Sequence, residues 1–225
     1  RKPFVPLIEK VTLPKAFGKG LKIMKGILKD TFILFVITLV AGFCLGGVHD
    51  ITLEPIAKAQ QAATTATYKE VYPDAANFQE TDELIEQASA AAADLEGQGF
   101  GKVSIDGAME AVDANGAVIG YLITSTSSES YGGDVQISVG ITADGTITGV
   151  GFLAINDTPG LGMKAKEPAF KDQFNGRAAQ TFEVTKTAAS GDAQIQAISG
   201  ATITSSAVTN AVNAAVYFYT SCVAQ

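Results

Sequence analysis

The chain is poor in the side chains that most enzymes rely on for acid–base or metal chemistry. It has one histidine and two cysteines in 225 residues. His49 borders a long uncharged run and reads as a polar residue at an interface. With one imidazole, a histidine-based metal site, a serine triad and an imidazole general base all lack support. Cys44 lies within that run and Cys222 near the C-terminus. A disulfide between them is not expected, and two cysteines cannot by themselves hold a four-cysteine iron–sulfur cluster. Cys44 reads as a packed cysteine within a membrane helix. No metal site is expected anywhere in the chain.

Basic residues are scarce outside the N-terminus. Residues 1–30 carry eight Lys and Arg against two acidic residues, and the rest of the chain carries eight against 21. An acidic main domain would repel a polyanion, so nucleic acid is not an expected partner. Between the two charge regimes, Thr31–Val48 (TFILFVITLVAGFCLGGV) contains no charge. At a rise of about 1.5 Å per residue it extends roughly 27 Å, close to the hydrocarbon thickness of a bilayer. Lys25 and Lys29 can reach back to the headgroups. The run reads as one transmembrane helix rather than a core helix.

Positive charge stays in the cytoplasm, so the basic arm (1–30) is expected inside and the acidic domain outside. A cleaved signal peptide is the competing reading, with Ala57-Lys58-Ala59 a weak small-residue site. A basic arm of about 30 residues is long for such a peptide, which favours a single-pass anchor. Within the arm, Phe17, Leu21, Ile23, Met24, Ile27 and Leu28 interleave with lysines. They fit either an amphipathic helix on anionic lipid or an unstructured orientation signal.

After the span (31–48), residues 49–96 read as a helical stalk and first helices. Pro55–Ala66 and Thr81–Leu95 are alanine- and glutamine-rich, with a break at Tyr72-Pro73-Asp74. Gly97–Lys102 resembles a nucleotide loop only superficially. Glu96 stands where a P-loop needs glycine, and Val103 where it needs Ser or Thr. From Lys102 the apolar period becomes two. Val103 with Ile105, Met109–Val112, Ala117–Thr126, Val135–Ile141 and Thr146–Leu153 read as strands. Asn115-Gly116 and Asp144-Gly145 are hairpin turns, so the expected sheet is an antiparallel meander. Pro168–Phe174 reads as a short helix and Gln180–Thr185 as a further strand. Residues 97–225 are expected to form one α+β domain.

Three loops remain. Tyr131-Gly132-Gly133 interrupts the alternation. Asn156–Gly162 contains Thr158-Pro159-Gly160-Leu161-Gly162, where Pro-Gly sets a tight turn and glycine lets backbone approach a ligand. Ser199-Gly200-Ala201-Thr202 follows a short apolar strand at Ile195–Ile198. It precedes a segment with Val208, Val212, Ala215 and Tyr219 at helical spacing. A small hydroxyl-bearing turn at a helix N-terminus suits an anion, although Thr202, Thr204 or Ser205 could equally serve as ordinary caps.

Ser199-Gly200-Ala201-Thr202 followed by Ile-Thr-Ser-Ser-Ala-Val resembles the flavinylation motif of a family of FMN-binding domains. That family includes the G subunit of the Rnf complex and the C subunit of the Na+-translocating NADH:quinone reductase. Asp157-Thr158-Pro159-Gly160-Leu161-Gly162 resembles the family's Glu/Asp-Thr-Pro-Gly-Leu-Gly segment. Tyr131 with its glycines, ahead of Val139-Gly140-Ile141, matches a third. Gln196 stands where the family usually has aspartate. The resemblance implies FMN joined to Thr202 by a phosphoester, with Ser199, Gly200 and Ala201 around the phosphate. It further implies flavin contacts from Tyr131, Asp157, Thr158, Gly160, Leu161 and Gly162.

By the same resemblance, the chain is an extracytoplasmic electron carrier on a single-pass anchor in the cell membrane. It would be the flavin-bearing component of an oxidoreductase that moves electrons between ferredoxin and NAD+ and drives Na+ or H+ transport. Other membrane proteins of the Rnf complex, a flavin transferase and the lipid bilayer would be its partners. It would bear no independent catalytic constellation. The corresponding quinone reductase component, a free-standing flavin reductase and an anchored binding module are the alternatives.

Overall fold

The structure, a computed structural model, describes residues 15–95 and 97–224, with the side chains of 15–25, 92 and 93 excepted. Residues 1–14 of the expected basic arm, Glu96, and the side chains of Phe17, Leu21, Ile23 and Met24 lie outside the described residues. The chain divides into two compact units, Arg1–Ala59 and Gln60–Gln225. Residues 60–96 therefore group with the sheet, so the stalk expected over 49–96 contributes its greater part to the domain.

Helix α1 (Lys15–Val71) contains the uncharged run. In the first unit its large apolar side chains, from Ile27 to Ile56, are exposed. Leaving each in water costs about 1.5–3 kcal/mol relative to burial, so this surface calls for an apolar surrounding. Its hydroxyls are already satisfied within the helix. Thr38 Oγ1 donates to the carbonyls of Leu34 and Phe35, and Thr52 Oγ1 to those of Val48 and His49. This pairing is what a helix in hydrocarbon requires. The helix runs through Pro55 rather than starting there. A proline removes one backbone bond and crowds the carbonyl four residues back, while the alanine- and glutamine-rich turns that follow favour helix.

The second unit is α+β. Strands β1 (Asn77–Gln79), β2 (Val103–Val112), β3 (Val118–Ser130), β4 (Gly133–Thr142) and β5 (Ile147–Ile155) form an antiparallel sheet in sequence order. Strand β1 was not expected from the sequence. It is three residues long, too short for a period to register, and exists by pairing with β2. Gly116 and Gly145 take positive φ at the two expected turns.

Helices α2 (Asp82–Leu95) and α4 (Thr202–Phe218) contribute to the main core. There Leu84, Ala88 and Ala91 of α2 and Val208, Ala211, Val212, Ala215 and Phe218 of α4 join Val135, Ile137, Val139 and Ile141 of β4. A 3-10 turn (Gly162–Lys166), α3 (Pro168–Lys171) and a parallel pair, β6 (Glu183–Thr185) with β7 (Gln194–Gln196), connect β5 to α4.

The end of α1 packs on β4 and β5. Val71 is buried, and its carbonyl accepts from Thr148 Oγ1 at 2.7 Å. Tyr72 is buried next to it, and its hydroxyl donates to the Ile119 carbonyl at 2.8 Å. Burial, and then the Asp74 charge, raise the Tyr72 pKa and keep the hydroxyl a donor. The close approach of Val71 needs a strand without side chains beneath it. A Cβ on Gly151 would stand 2.5 Å from Val71 Cγ2 and from Thr67 Cγ2. Both are branched side chains near the helix backbone, with little freedom to retreat.

Gly151→Val is therefore expected to destabilise the unit by at least about 1–3 kcal/mol. For a domain of this size that lowers Tm by roughly 2–4 °C per kcal/mol, measured by thermal unfolding of the full chain in detergent. An unchanged Tm would show that α1 does not rest on this strand.

Candidate functional site

Three segments from separate parts of the chain meet at one cavity of about 520 Å³. The β3–β4 hairpin brings Tyr131 at its tip. The loop after β5 brings Asp157, Thr158 and Leu161, with Gly162 opening the 3-10 turn. The start of α4 brings Gly200, Ala201, Thr202, Ile203 and Thr204. Of the ten site residues expected from the sequence, Ser199 and Gly160 are exposed and lie outside the cavity wall, and the other eight line it. Gly160 still shapes the wall. It takes φ +78 in the turn closed by Leu161 N–H donating to the Thr158 carbonyl at 3.1 Å.

The α4 end of the cavity is built to leave donors free. Ala201 is the N-cap and provides no side-chain cap hydrogen bond. The capping role open to Ser205 is not used in that way. Ser205 is fully buried; its Oγ accepts from Ile198 N–H at 3.0 Å and donates to the Ala201 carbonyl at 2.9 Å. The hydroxyl thereby ties the loop to the helix and leaves the first-turn N–H groups without a side-chain acceptor. Those groups and the positive end of the helix dipole favour an anion. Thr202, half-buried, presents its hydroxyl at this point. Upstream, Gln173 holds the Gln196 backbone by both ends, accepting from its N–H at 2.8 Å and donating to its carbonyl at 3.2 Å. Gly200, at φ +79, turns the chain between these two anchors.

Beside the start of α4, the loop after β5 carries a carboxylate. Asp157 is 7% exposed, and its Oδ2 accepts from Ser130 Oγ at 2.6 Å. Its Oδ1 is buried and has no hydrogen-bond partner among the described residues. Glycine is required next to it. A Cβ on Gly162 would lie 2.7 Å from Asp157 Cγ and from Thr204 Oγ1, and would wedge the two walls apart. Around the mouth, Tyr131 (73% exposed), Ile203 (56%) and Leu161 (44%) form an apolar rim. The volume is within the usual range for small-molecule sites. The site thus offers anion-binding amides at the start of α4 and an apolar rim. That combination fits a phosphorylated ligand with a flat apolar body, as FMN is.

Sequence reasoning missed Ser130, Ile203 and Thr204. Ile203 and Thr204 follow directly on the motif and could have been included as the first helical turn. Ser130 carries no signal of its own, since only the fold brings it to Asp157. A larger groove of about 690 Å³ lies between residues 60–68 of α1 and the sheet. Two carboxylates line it, Glu80 and Asp106, and Asp106 accepts from Ser104, Thr126 and Gln136. Among the described residues no cluster of His, Cys, Asp or Glu could hold a metal ion.

Residues 130–217 match the FMN-binding domain family. The chain is 35% identical over 206 residues to the G subunit of the Na(+)-translocating ferredoxin:NAD(+) oxidoreductase complex of Acetobacterium woodii, spanning 87% of this chain and 92% of that one. It is 31% identical over 193 residues to the G subunit of the ion-translocating oxidoreductase complex of Methanosarcina acetivorans, spanning 85% and 94%. Among solved structures, NqrC of Shewanella oneidensis overlaps 50% of this chain and 54% of its own, at 20% identity and a TM-score of 0.41. That likeness is too loose to bear on function.

Ser205→Ala strands the Ile198 N–H and is expected to cost about 1–3 kcal/mol. The measurement is thermal unfolding of the full chain, with amide exchange at Ile198 rising as Tm falls. Exchange at Ile198 unchanged from wild type would show that Ser205 does not hold the loop.

Proposed function

The chain belongs to the G-subunit family of ion-translocating oxidoreductase complexes, and from that premise we propose that it is the complex's anchored flavin carrier, with FMN esterified to Thr202. The observation that carries this reading is the cavity itself. It joins a half-buried threonine hydroxyl, an uncapped helix N-terminus and the loop 157–162 in one place. Bound flavin supplies reversible electron transfer that no side chain of this protein can provide.

The chain's own residues do the rest. The first-turn amides of α4 receive the phosphate, and Ser205 and Gln173 hold the loop that presents Thr202 Oγ1. Tyr131, Leu161 and Ile203 cover apolar ligand surface and displace water from it. No base adjoins Thr202 in the local sequence, which suits modification by a separate flavin transferase. In that reaction Thr202 Oγ1 bonds to the FMN-side phosphorus of FAD and AMP leaves. The hydroxyl proton passes to the transferase or to solvent.

The long apolar helix supports membrane association. The basic residues before it and the acidic residues after it support a single span with the domain outside the cytoplasm. In the family's complexes the partners are the other subunits. On this reading they include a donor that passes electrons derived from ferredoxin and an acceptor that leads to NAD+, and the assembly moves Na+ or H+. The uncharged span of this chain supports no ion path of its own.

Thr202→Val, co-expressed with a flavin transferase, is expected to lose the FMN mass and the in-gel flavin fluorescence of the denatured chain. Its Tm should stay within a few degrees of wild type. Fluorescence that survives in the variant would identify a different acceptor. For orientation, Ala189→Cys on the exposed loop before β7 is expected to react with a membrane-impermeant maleimide in intact cells. Labelling of this position only after lysis would reverse the topology.

A further inference from the structure

The first turn of α4 carries a hydroxyl that neither caps the helix nor bonds within it. Thr204 is 1% exposed and lines the cavity, and its Oγ1 has no hydrogen-bond partner among the described residues. A helical threonine can donate to the carbonyl four residues back, as Thr38, Thr52, Thr65, Thr67 and Thr220 do in this chain. The backbone donor of Thr204 is unpaired too. The first backbone bond of α4 runs from Ser205 N–H to the Ala201 carbonyl, and the N–H groups of Thr202, Ile203 and Thr204 precede it. Other unpartnered oxygens, those of Gln87, Ser127, Asp157 and Thr209, are sealed inside the protein. Thr204 Oγ1 is not sealed in this way, and the wall it belongs to is that of the cavity. Gly162, also in that wall, keeps the space before the hydroxyl clear. A Cβ there would stand 2.7 Å from Oγ1.

We propose that Thr204 Oγ1 is a phosphate donor of this cavity, and that the hydroxyl and the N–H of this one residue take the same anion. The hydroxyl stands three bonds from its own backbone nitrogen, so an anion drawn to the first-turn amides comes within its reach. Helical side chains also tilt toward the helix N-terminus, the direction in which the unpaired N–H groups point. A hydroxyl that donates to an ionised oxygen makes a shorter and stronger bond than one that donates to a neutral acceptor. Thr202 is then the point of attachment, and Thr204 is the side chain that recognises what is attached. This inference rests on the flavin reading of the cavity and adds the group that selects the ligand's phosphate. It also gives the hydroxyl a conditional effect on stability. Without the anion it is a buried donor with no acceptor, and with the anion it is paired.

The test compares the full chain, purified in detergent, after expression with and without a flavin transferase. The FMN mass and the Tm are measured for wild type, Thr204→Val and Thr204→Ser. Thr204→Val keeps the shape and removes the hydroxyl, and Thr204→Ser keeps the hydroxyl. Modification is expected to raise the wild-type Tm. In Thr204→Val that rise should be smaller by at least about 3 °C, because the bond to the phosphate is gone. The unmodified Thr204→Val chain should melt at or above unmodified wild type, because it no longer buries a donor without an acceptor. Thr204→Ser should keep most of the wild-type rise. If Thr204→Val takes no FMN while Thr204→Ser does, the hydroxyl is needed as the phosphate arrives, which supports the same role. An equal rise in wild type and Thr204→Val, with or without a fall in both forms of the variant, would mark a structural hydroxyl and overturn the proposal. So would a Thr204→Ser chain that behaves as Thr204→Val does. In those cases the wild-type FMN mass stays in place and the flavin reading stands. Wild-type chain without the FMN mass would remove the flavin reading, and this inference with it.

Discussion

Helix α4 lies in the core with Val208, Ala211, Val212, Ala215 and Phe218 excluded from solvent, and two polar contacts fix where along the sheet it stops. Ser125 Oγ of β3 donates to the Ala211 carbonyl at 2.8 Å in a fully buried setting. Asn213 pairs with both backbone groups of Phe182, accepting from its N–H at 2.8 Å and donating to its carbonyl at 2.9 Å. The apolar side chains drive burial but permit sliding, since a hydrophobic contact has no direction. The polar pairs remove that freedom, because a slip would leave buried groups bare. The position of Thr202, the first residue of the helix, follows from this register.

The site is a consequence of the same economy of backbone groups. A helix start has unpaired N–H groups, and a nearby serine would ordinarily cap them. Here Ser205 is drawn into the loop instead, bridging Ile198 and Ala201. Beside the helix start, Asp157 uses one oxygen on Ser130, and the other has no partner among the described residues. The apolar rim gives the cavity a reason to hold a flat ligand body.

Much of the chain was legible in advance because its signals are local. The uncharged run from Thr31 to Val48 needs only composition and length. The two hairpin turns need only Asn-Gly and Asp-Gly, whose glycines take positive φ. The period-two segments between Val103 and Leu153 became β2 to β5; β3 and β5 run past their expected C-terminal ends and β4 past both of its ends, because pairing extends a strand past its apolar pattern. Strand β1 and the parallel pairing of β6 with β7 were not legible. Three residues carry no period, and a parallel partner is chosen by the path of the chain between the two strands. The continuation of α1 through Pro55 was also hidden, since a proline is read as a boundary when only its neighbours are in view.

By itself the sequence determined the apolar helix, the charge division, the antiparallel meander, and the short motifs that carry the family resemblance. These depend on neighbours a few residues apart, where hydrophobic period, turn chemistry and net charge act directly. Only the tertiary structure decided that Tyr131, Asp157 and Thr202 share one cavity, and that Ser199 and Gly160 stand outside it. Only it decided that Ser130 occupies half of Asp157 and that Ser205 ties a loop instead of capping a helix. Each of these is a choice between partners distant in sequence. Such a choice is made when packing removes water and every buried donor and acceptor must find its pair from what the fold has brought near.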